Sequence, residues 1–343
     1  MNPRKYVLAG AVALGMAGMA AGAAQAAHYD DGQWGLTAKA LKGKTVAYVP
    51  ISMGFDLAQG WAAAMQHAAD KWGFKLVIHD PNWNASAGVQ ALSQLIAEKP
   101  DLLVVQPPDP QSYAKLIKKA LGDGIKVIQI NMESVTRGDA YVGSDWYDVA
   151  GTEMDMLEKA CGKAAGKNGH IALISGIPTN PGMMVGMQAI NDKLKEYPDL
   201  TLVANQAADY DPTKAHDVAV TILKQHEDLC GIYGTWDGQD VGTAAAIKEA
   251  GKIGKVYLVT SGGGRQAAAC DYIANGSYSA YVSYDGKGQG RDLVDAVETL
   301  LQAASEKAGS HPFGLYSPLK IITKQTMTPG SCWTLEDIKA NGA

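Results

Sequence analysis

Several signals that would settle a function outright are missing from this 343-residue chain. No block of Lys and Arg stands out, so the electrostatic footprint of nucleic-acid or anionic-membrane binding is absent. No CxxC pair occurs and the four cysteines, Cys161, Cys230, Cys270 and Cys332, lie far apart. That spacing indicates neither a zinc site nor a thioredoxin-like centre. The phosphate-binding GxxxxGK[ST], the GxSxG elbow, HExxH and a GxGxxG after the first strand are all missing, which removes the commonest enzyme signatures. "SGGGR" (261–265) is the nearest approach to an anion-binding turn, and a tight strand-to-helix turn explains it equally. His67, His79, His170, His216 and His226 are scattered without metal-ligand spacing, and no cofactor is called for. Outside the first residues, no apolar run approaches the ~20 residues of a membrane span. Aromatic residues make up only 7% of the chain, so where they gather is informative.

What is present begins with a leader. Arg4 and Lys5 precede the apolar "YVLAGAVALGMAGMAAG", and "AQA" (24–26) places small residues before a cleavage site. Residues 1–26 read as a secretory signal peptide cut after about Ala26, and no cysteine follows the cut to carry a lipid. Two of the 30 basic residues and none of the 35 acidic ones lie in the leader, so the exported chain carries −7. In an oxidising compartment four cysteines can form up to two disulfides. At least one bridge is expected, tying the tail or an element of the second half.

The mature chain holds one pattern written twice. Strands "TVAYVPI", "KLVIHD", "DLLVVQP" and "KVIQIN" alternate with helices from Lys44 onward; "HIALISG", "LTLVANQ", "CGIYGTW" and "KVYLVTS" repeat the order from Gly169. The strands are short apolar runs without strict alternation, which suits parallel strands covered on both faces. Helices are marked by apolar residues three and four apart, as with Trp61, Met65 and Ala68, and Gly73 stops that helix. The fold class is α/β, with two doubly wound parallel sheets. The later strands "SAYVSYD" and "PLKIITKQ" cross back between domains, near 145, 284 and 316. One lobe then takes 44–145 with about 285–316, and the other 146–284 with about 317–343.

Ligands of such sheets bind beyond the carboxyl ends of the strands. Those ends read "SMGFD", "PNWN", "QPPDP" and "NMES" in the first half, and "GIPTNPG", "ADYDP", "TWDGQD" and "SGGG" in the second. Phe55, Trp83, Tyr210 and Trp236 concentrate there, with Gln106, Asn131, Asp237 and Ser261. A ring stacks on the apolar face of a small molecule, and a carboxylate accepts from its hydroxyls or faces its positive charge. Rings capping the core beneath them are the alternative for each taken singly.

The ordered segments "KTVAYVPISMGF", "ADKWGFKLVIHDPNWN", "LIAEKPDLLVVQPPDP", "ALGDGIKVIQIN", "YVGSDWYDVAG", "QAADYDPTKA", "GIYGTWDGQDVGTAAAIKEAG" and "SYDGKGQGRDLV" together resemble the periplasmic substrate-binding proteins of sugar ABC importers, of the ribose- and galactose-binding type. The resemblance covers roughly Lys44 to Gln325. It implies two Rossmann-like lobes joined by a three-strand hinge, a ligand between them, and a monomer serving an inner-membrane permease. By position it assigns ligand contacts to Phe55, Gln106, Tyr210, Asp237 and Tyr284. It also exposes departures: Asn131-Met132 replaces an Asp-Arg pair, Met183 and Met184 stand where an Arg is usual, Trp236 replaces Asn, and Gly262 replaces Asp. These substitutions remove charged groups that hold sugar hydroxyls bidentately. The departures point away from a standard aldopentose or aldohexose. The expected ligand is a sugar, polyol or similar small alcohol; the alternative is an aromatic or small cationic solute, or a sensor that passes its loaded form to a membrane receptor. An enzyme is not indicated.

Overall fold

Leu102–Val105 is buried at every position, as is Lys126–Ile130, and this two-sided burial is why such apolar runs settle into the middle of a sheet. The computed structural model describes residues 32–343; the expected signal peptide lies outside the described residues. In chain order the first half runs α1 (Gln33–Leu41), β1 (Thr45–Val49), α2 (Asp56–Trp72), β2 (Lys75–Ile78), α3 (Ala85–Glu98), β3 (Leu102–Val105), α4 (Ala114–Gly122), β4 (Lys126–Ile130) and β5 (Ala140–Gly143). The second half runs α5 (Trp146–Cys161), β6 (His170–Ser175), α6 (Pro181–Glu196), β7 (Thr201–Ala207), α7 (Pro212–Gln225), β8 (Gly231–Gly234), α8 (Asp237–Glu249), β9 (Tyr257–Gly262), α9 (Cys270–Asn275) and β10 (Ala280–Ser283). The tail adds α10 (Gly286–Gln302), β11 (Phe313–Tyr316), β12 (Lys320–Ile322) and α11 (Leu335–Asn341).

Two six-stranded sheets result, ordered β11-β5-β4-β3-β1-β2 and β12-β10-β9-β8-β6-β7. Every pairing in the first is parallel. In the second only β12 runs antiparallel, against β10. The chain passes from the first sheet to the second after β5, returns after β10 through α10, and passes over again between β11 and β12. Helix α2 packs Trp61, Met65 and Ala68 into the core, and Gly73 ends it at φ 75°, a left-handed conformation cheap only for glycine.

The last helix departs from the expected lobe boundaries. Residues 317–343 do not all belong with the second sheet, because α11 packs on α2 of the first lobe. Its Leu335 and Ile338 are buried there beside Trp333 and Ala64. The strand-and-helix pattern also passed over β5 and β11; β5 follows β4 with no helix between them, and β11 is fully buried at none of its positions. Among the described residues no helix is long and apolar enough to cross a membrane.

Both cysteine pairs are bonded. Cys161–Cys230 ties the end of α5 to the residue before β8, and Cys270–Cys332 ties α9 to the tail. The bridges span 69 and 62 residues of sequence, long loops whose closure removes unfolded-state entropy worth about 4 kcal/mol each. Replacing Cys161 and Cys230 by Ser is expected to lower the unfolding free energy by roughly 2–5 kcal/mol. A urea midpoint that stays where it was would show that this bridge constrains nothing.

Candidate functional site

One three-residue turn is built at the same place in each lobe. After β2 the chain reads Asn82-Trp83-Asn84, and after β7 it reads Asp209-Tyr210-Asp211. The first two residues of each turn are left-handed, at φ 49° and 65° in one and 56° and 62° in the other. The third caps the following helix: Asn84 Oδ1 accepts from the Ala87 N–H, and Asp211 accepts from Thr213 and Lys214. Asn and Asp tolerate the left-handed region and serve as helix caps; Trp and Tyr do not favour it. The effect is to swing each ring off the end of its sheet. Trp83 and Tyr210 meet across the gap with centroids 6.4 Å apart and planes 29° from parallel.

Two more rings close the enclosure. Phe55 and Trp236 each precede the first residue of a helix in extended backbone, at α2 and α8. Trp236 stands nearly perpendicular to Phe55 (5.8 Å, 86°) and to Tyr210 (5.9 Å, 82°). Its ring lies where a Cβ on residue 238 would collide, so Gly238 makes the orientation available. The Trp236 N–H donates to Asp240 Oδ2 at 3.1 Å, which fixes the backbone from which the ring projects.

Behind these rings lies a cavity between the lobes. Of the residues expected from the strand ends, Phe55, Trp83, Gln106, Asn131, Met183, Tyr210, Trp236, Ser261 and Tyr284 line it. The amides are held in place by backbone: Gln106 Oε1 accepts from the Ile51 N–H at 3.1 Å, and Asn180 Oδ1 from Gly182 at 3.0 Å. Asn131 is pinned on three sides. Its N–H donates to Val142 O at 2.7 Å, and its carbonyl accepts from Trp146 Nε1 at 2.8 Å and from the Tyr141 hydroxyl at 3.3 Å. It sits at φ 64°, and its buried Oδ1 has no protein partner.

Asp237 is the exception among the expected residues. It does not line this cavity, because as the first residue of α8 it turns under the helix, where its carboxylate accepts from the Tyr281 hydroxyl at 2.6 Å. Only the ring of the Trp236-Asp237 pair faces the cavity. Met132, named as a departure beside Asn131, lines it as well, and so do Trp146, Asn180 and Tyr233, which were not singled out. Trp146 opens the helix after the first crossing, in "SDWYD", where an aromatic next to an Asx cap is the available signal. Tyr233 lies within a strand, where nothing in the pattern separates a cavity wall from core.

No charged side chain lines the cavity. The nearest acids stand behind its wall. Burial pushes the carboxyls of Asp237 and Asp240 up to about 7 in each case, against opposing hydrogen bonds from Tyr281 and from Thr260 and Thr243. Burial likewise raises Glu153, beside Tyr233 and Ser261. Among the described residues no group of three or more His, Cys, Asp or Glu is placed to hold a metal ion.

Two doubly wound lobes with a ring-walled cavity at their facing strand ends define a two-lobed solute-binding fold. The chain belongs to the family described as the periplasmic binding protein domain, whose model matches residues 46–305. It is 25% identical over 268 residues to the ribose import binding protein of Bacillus subtilis, covering 76% of this chain and 81% of that one. It is 34% identical to the D-allose-binding periplasmic protein of Escherichia coli over 101 residues, 29% of this chain and 32% of the other. An ABC transporter solute-binding protein from Burkholderia graminis, solved with D-arabinose, superposes with a TM-score of 0.75 at 22% identity, covering 85% of this chain and 98% of that one. A galactofuranose-binding protein superposes equally well, TM-score 0.75, at 18% identity over 88% of this chain and 100% of the other.

The raised carboxyl of Asp237 has a consequence for stability. Its unfolded value is about 3.9, so between roughly pH 4 and 7 the folded protein keeps a proton that the unfolded chain releases. Stability from this group is full below that window and is lost as pH rises through it. Asp237→Asn, which cannot ionise, is expected to gain on wild type across the window by up to about 1.4 kcal/mol per pH unit. Urea unfolding at pH 5 and pH 8 measures the difference; parallel profiles would place the carboxyl at its ordinary value.

Proposed function

We propose that this protein is an exported solute-binding protein that captures a small sugar, polyol or alcohol-like ligand between its lobes and delivers it to an ABC importer. Its leader is removed after about Ala26, and it works as a monomer in the periplasm, without a cofactor, handing its cargo to an inner-membrane permease. Its relatives include a ribose import binding protein, which supports the transport role. The observation that carries the reading is that rings from both lobes, Phe55 and Trp83 on one side and Tyr210 and Trp236 on the other, wall a single cavity.

Closure follows from the connections. The chain crosses between the sheets in three short stretches, at residues 144–145, 284–285 and 317–319, and the tail links the lobes once more between Cys332 and α11. Few dihedrals need to change in the three crossings to rotate one lobe on the other. At the rim, Asp56 of α2 pairs with Arg265 of the second lobe. Leu57 fills the space left by Gly263 and Gly286, where any Cβ would crowd it. A ligand that contacts both lobes favours the closed form by its differential affinity for it.

Thermal-shift screening of sugars, polyols and alcohols tests capture, since a ligand at a hundred times its Kd stabilises by about 2.7 kcal/mol. X-ray scattering with a saturating hit is expected to show a smaller radius of gyration. Trp236→Ala is expected to weaken binding by about 10- to 100-fold, a lost stacking face of ~1–3 kcal/mol, with little change in melting temperature. A destabilised variant with wild-type affinity would make the ring a plug for the core.

A further inference from the structure

Of the three side-chain amide oxygens in the cavity lining, two are already committed. Gln106 Oε1 and Asn180 Oδ1 already accept backbone N–H groups. The hydroxyls of Ser261 and Thr235 donate to the carbonyls of Thr235 and Ile174. One side-chain acceptor in the lining is buried and wholly unpartnered, Asn131 Oδ1. Its residue is held in left-handed backbone by three hydrogen bonds to its main chain. A buried polar atom left without a partner, on a residue that lines the cavity, calls for one that a ligand can supply.

The remaining wall is apolar: aromatic rings, Met132 and Met183, and aliphatic side chains such as Ile51 and Val149. No carboxylate is there to take two hydroxyls at once or to balance a cation, which would have only the ring faces to meet its charge. A polyhydroxylated ring would bring several O–H donors to a lining with one free amide oxygen, and each left without an acceptor carries a cost. We propose that the solute is an uncharged, hydroxyl-poor alcohol whose apolar body lies among Phe55, Trp83, Tyr210 and Trp236 and whose O–H donates to Asn131 Oδ1. This rests on the capture reading and narrows its ligand class.

Calorimetric titration of the purified protein with benzyl alcohol, 1-butanol, benzyl methyl ether, D-ribose and tetramethylammonium tests it. An alcohol is expected to bind tightest, and the ether, which keeps the body and oxygen but has no O–H, at least tenfold more weakly than benzyl alcohol. Asn131→Gly is expected to abolish that difference while keeping its melting temperature, because glycine adopts φ 64° freely. Tighter binding of D-ribose or tetramethylammonium than of either alcohol would overturn the ligand class and leave capture standing. Equal affinity for the ether, or a preference that survives in a folded Asn131→Gly, would remove the role of Asn131. Silence from every probe would overturn the class and deprive capture of its support as well.

Discussion

Parallel strands all end at the same edge, and in this protein two such edges face each other. That constraint decides where everything else goes. A parallel sheet must return its chain through helices, so each strand's carboxyl end becomes a loop leading into a helix. The loops of the first sheet and of the second are then forced into one gap. The Asn82-Trp83-Asn84 and Asp209-Tyr210-Asp211 turns show how little sequence is needed to use it. Each has a left-handed start and an Asx cap. Repeating that local solution in both lobes places Trp83 opposite Tyr210 without any direct link between them.

The acids of the second lobe belong to the scaffold of the cavity and not to its lining. Asp240 is fully buried, accepts from the hydroxyls of Thr243 and Thr260, and takes the Trp236 N–H. It therefore sets the backbone that carries a wall ring. Asp237 does related work one residue away by receiving the Tyr281 hydroxyl, which in turn receives the Gly264 N–H. Burial favours the neutral form of both carboxyls. A cavity with ionisable groups close behind its wall thus keeps a lining without charged side chains.

Much of this was readable from sequence because parallel strands buried on both faces leave unmistakable apolar runs, and because their ends can be counted off. Trp83, Tyr210 and Trp236 follow directly from that counting. Asp237 does not, since sequence adjacency to Trp236 says nothing about which of two neighbours turns inward. The helix start decides it: the extended residue before the helix projects outward and the first helical residue folds beneath. Trp146 and Tyr233 escaped for different reasons, one because it follows β5, which has no helix before it to announce it, the other because a strand residue at a cavity and one in the core look alike.

The tail was the least legible part, and it bears on how the lobes can move. Cys332 is bonded to α9 of the second lobe, and α11, which starts three residues later, rests on α2 of the first. Trp333 between them donates its indole N–H to Gly263 O at 2.7 Å while its ring packs against Gly60 of α2. Three extended residues span at most about 10 Å, so the lobes cannot part further than that along this rim while α11 holds. Helix α11 is seven residues long with two buried side chains, too short to persist by itself in water. Wide opening at this edge therefore requires either the helix to leave α2 or the rotation axis to lie close to the tail. Because the Asp56–Arg265 pair and the Leu57 contact occupy the same rim, the second geometry keeps more of the closed-state contacts intact.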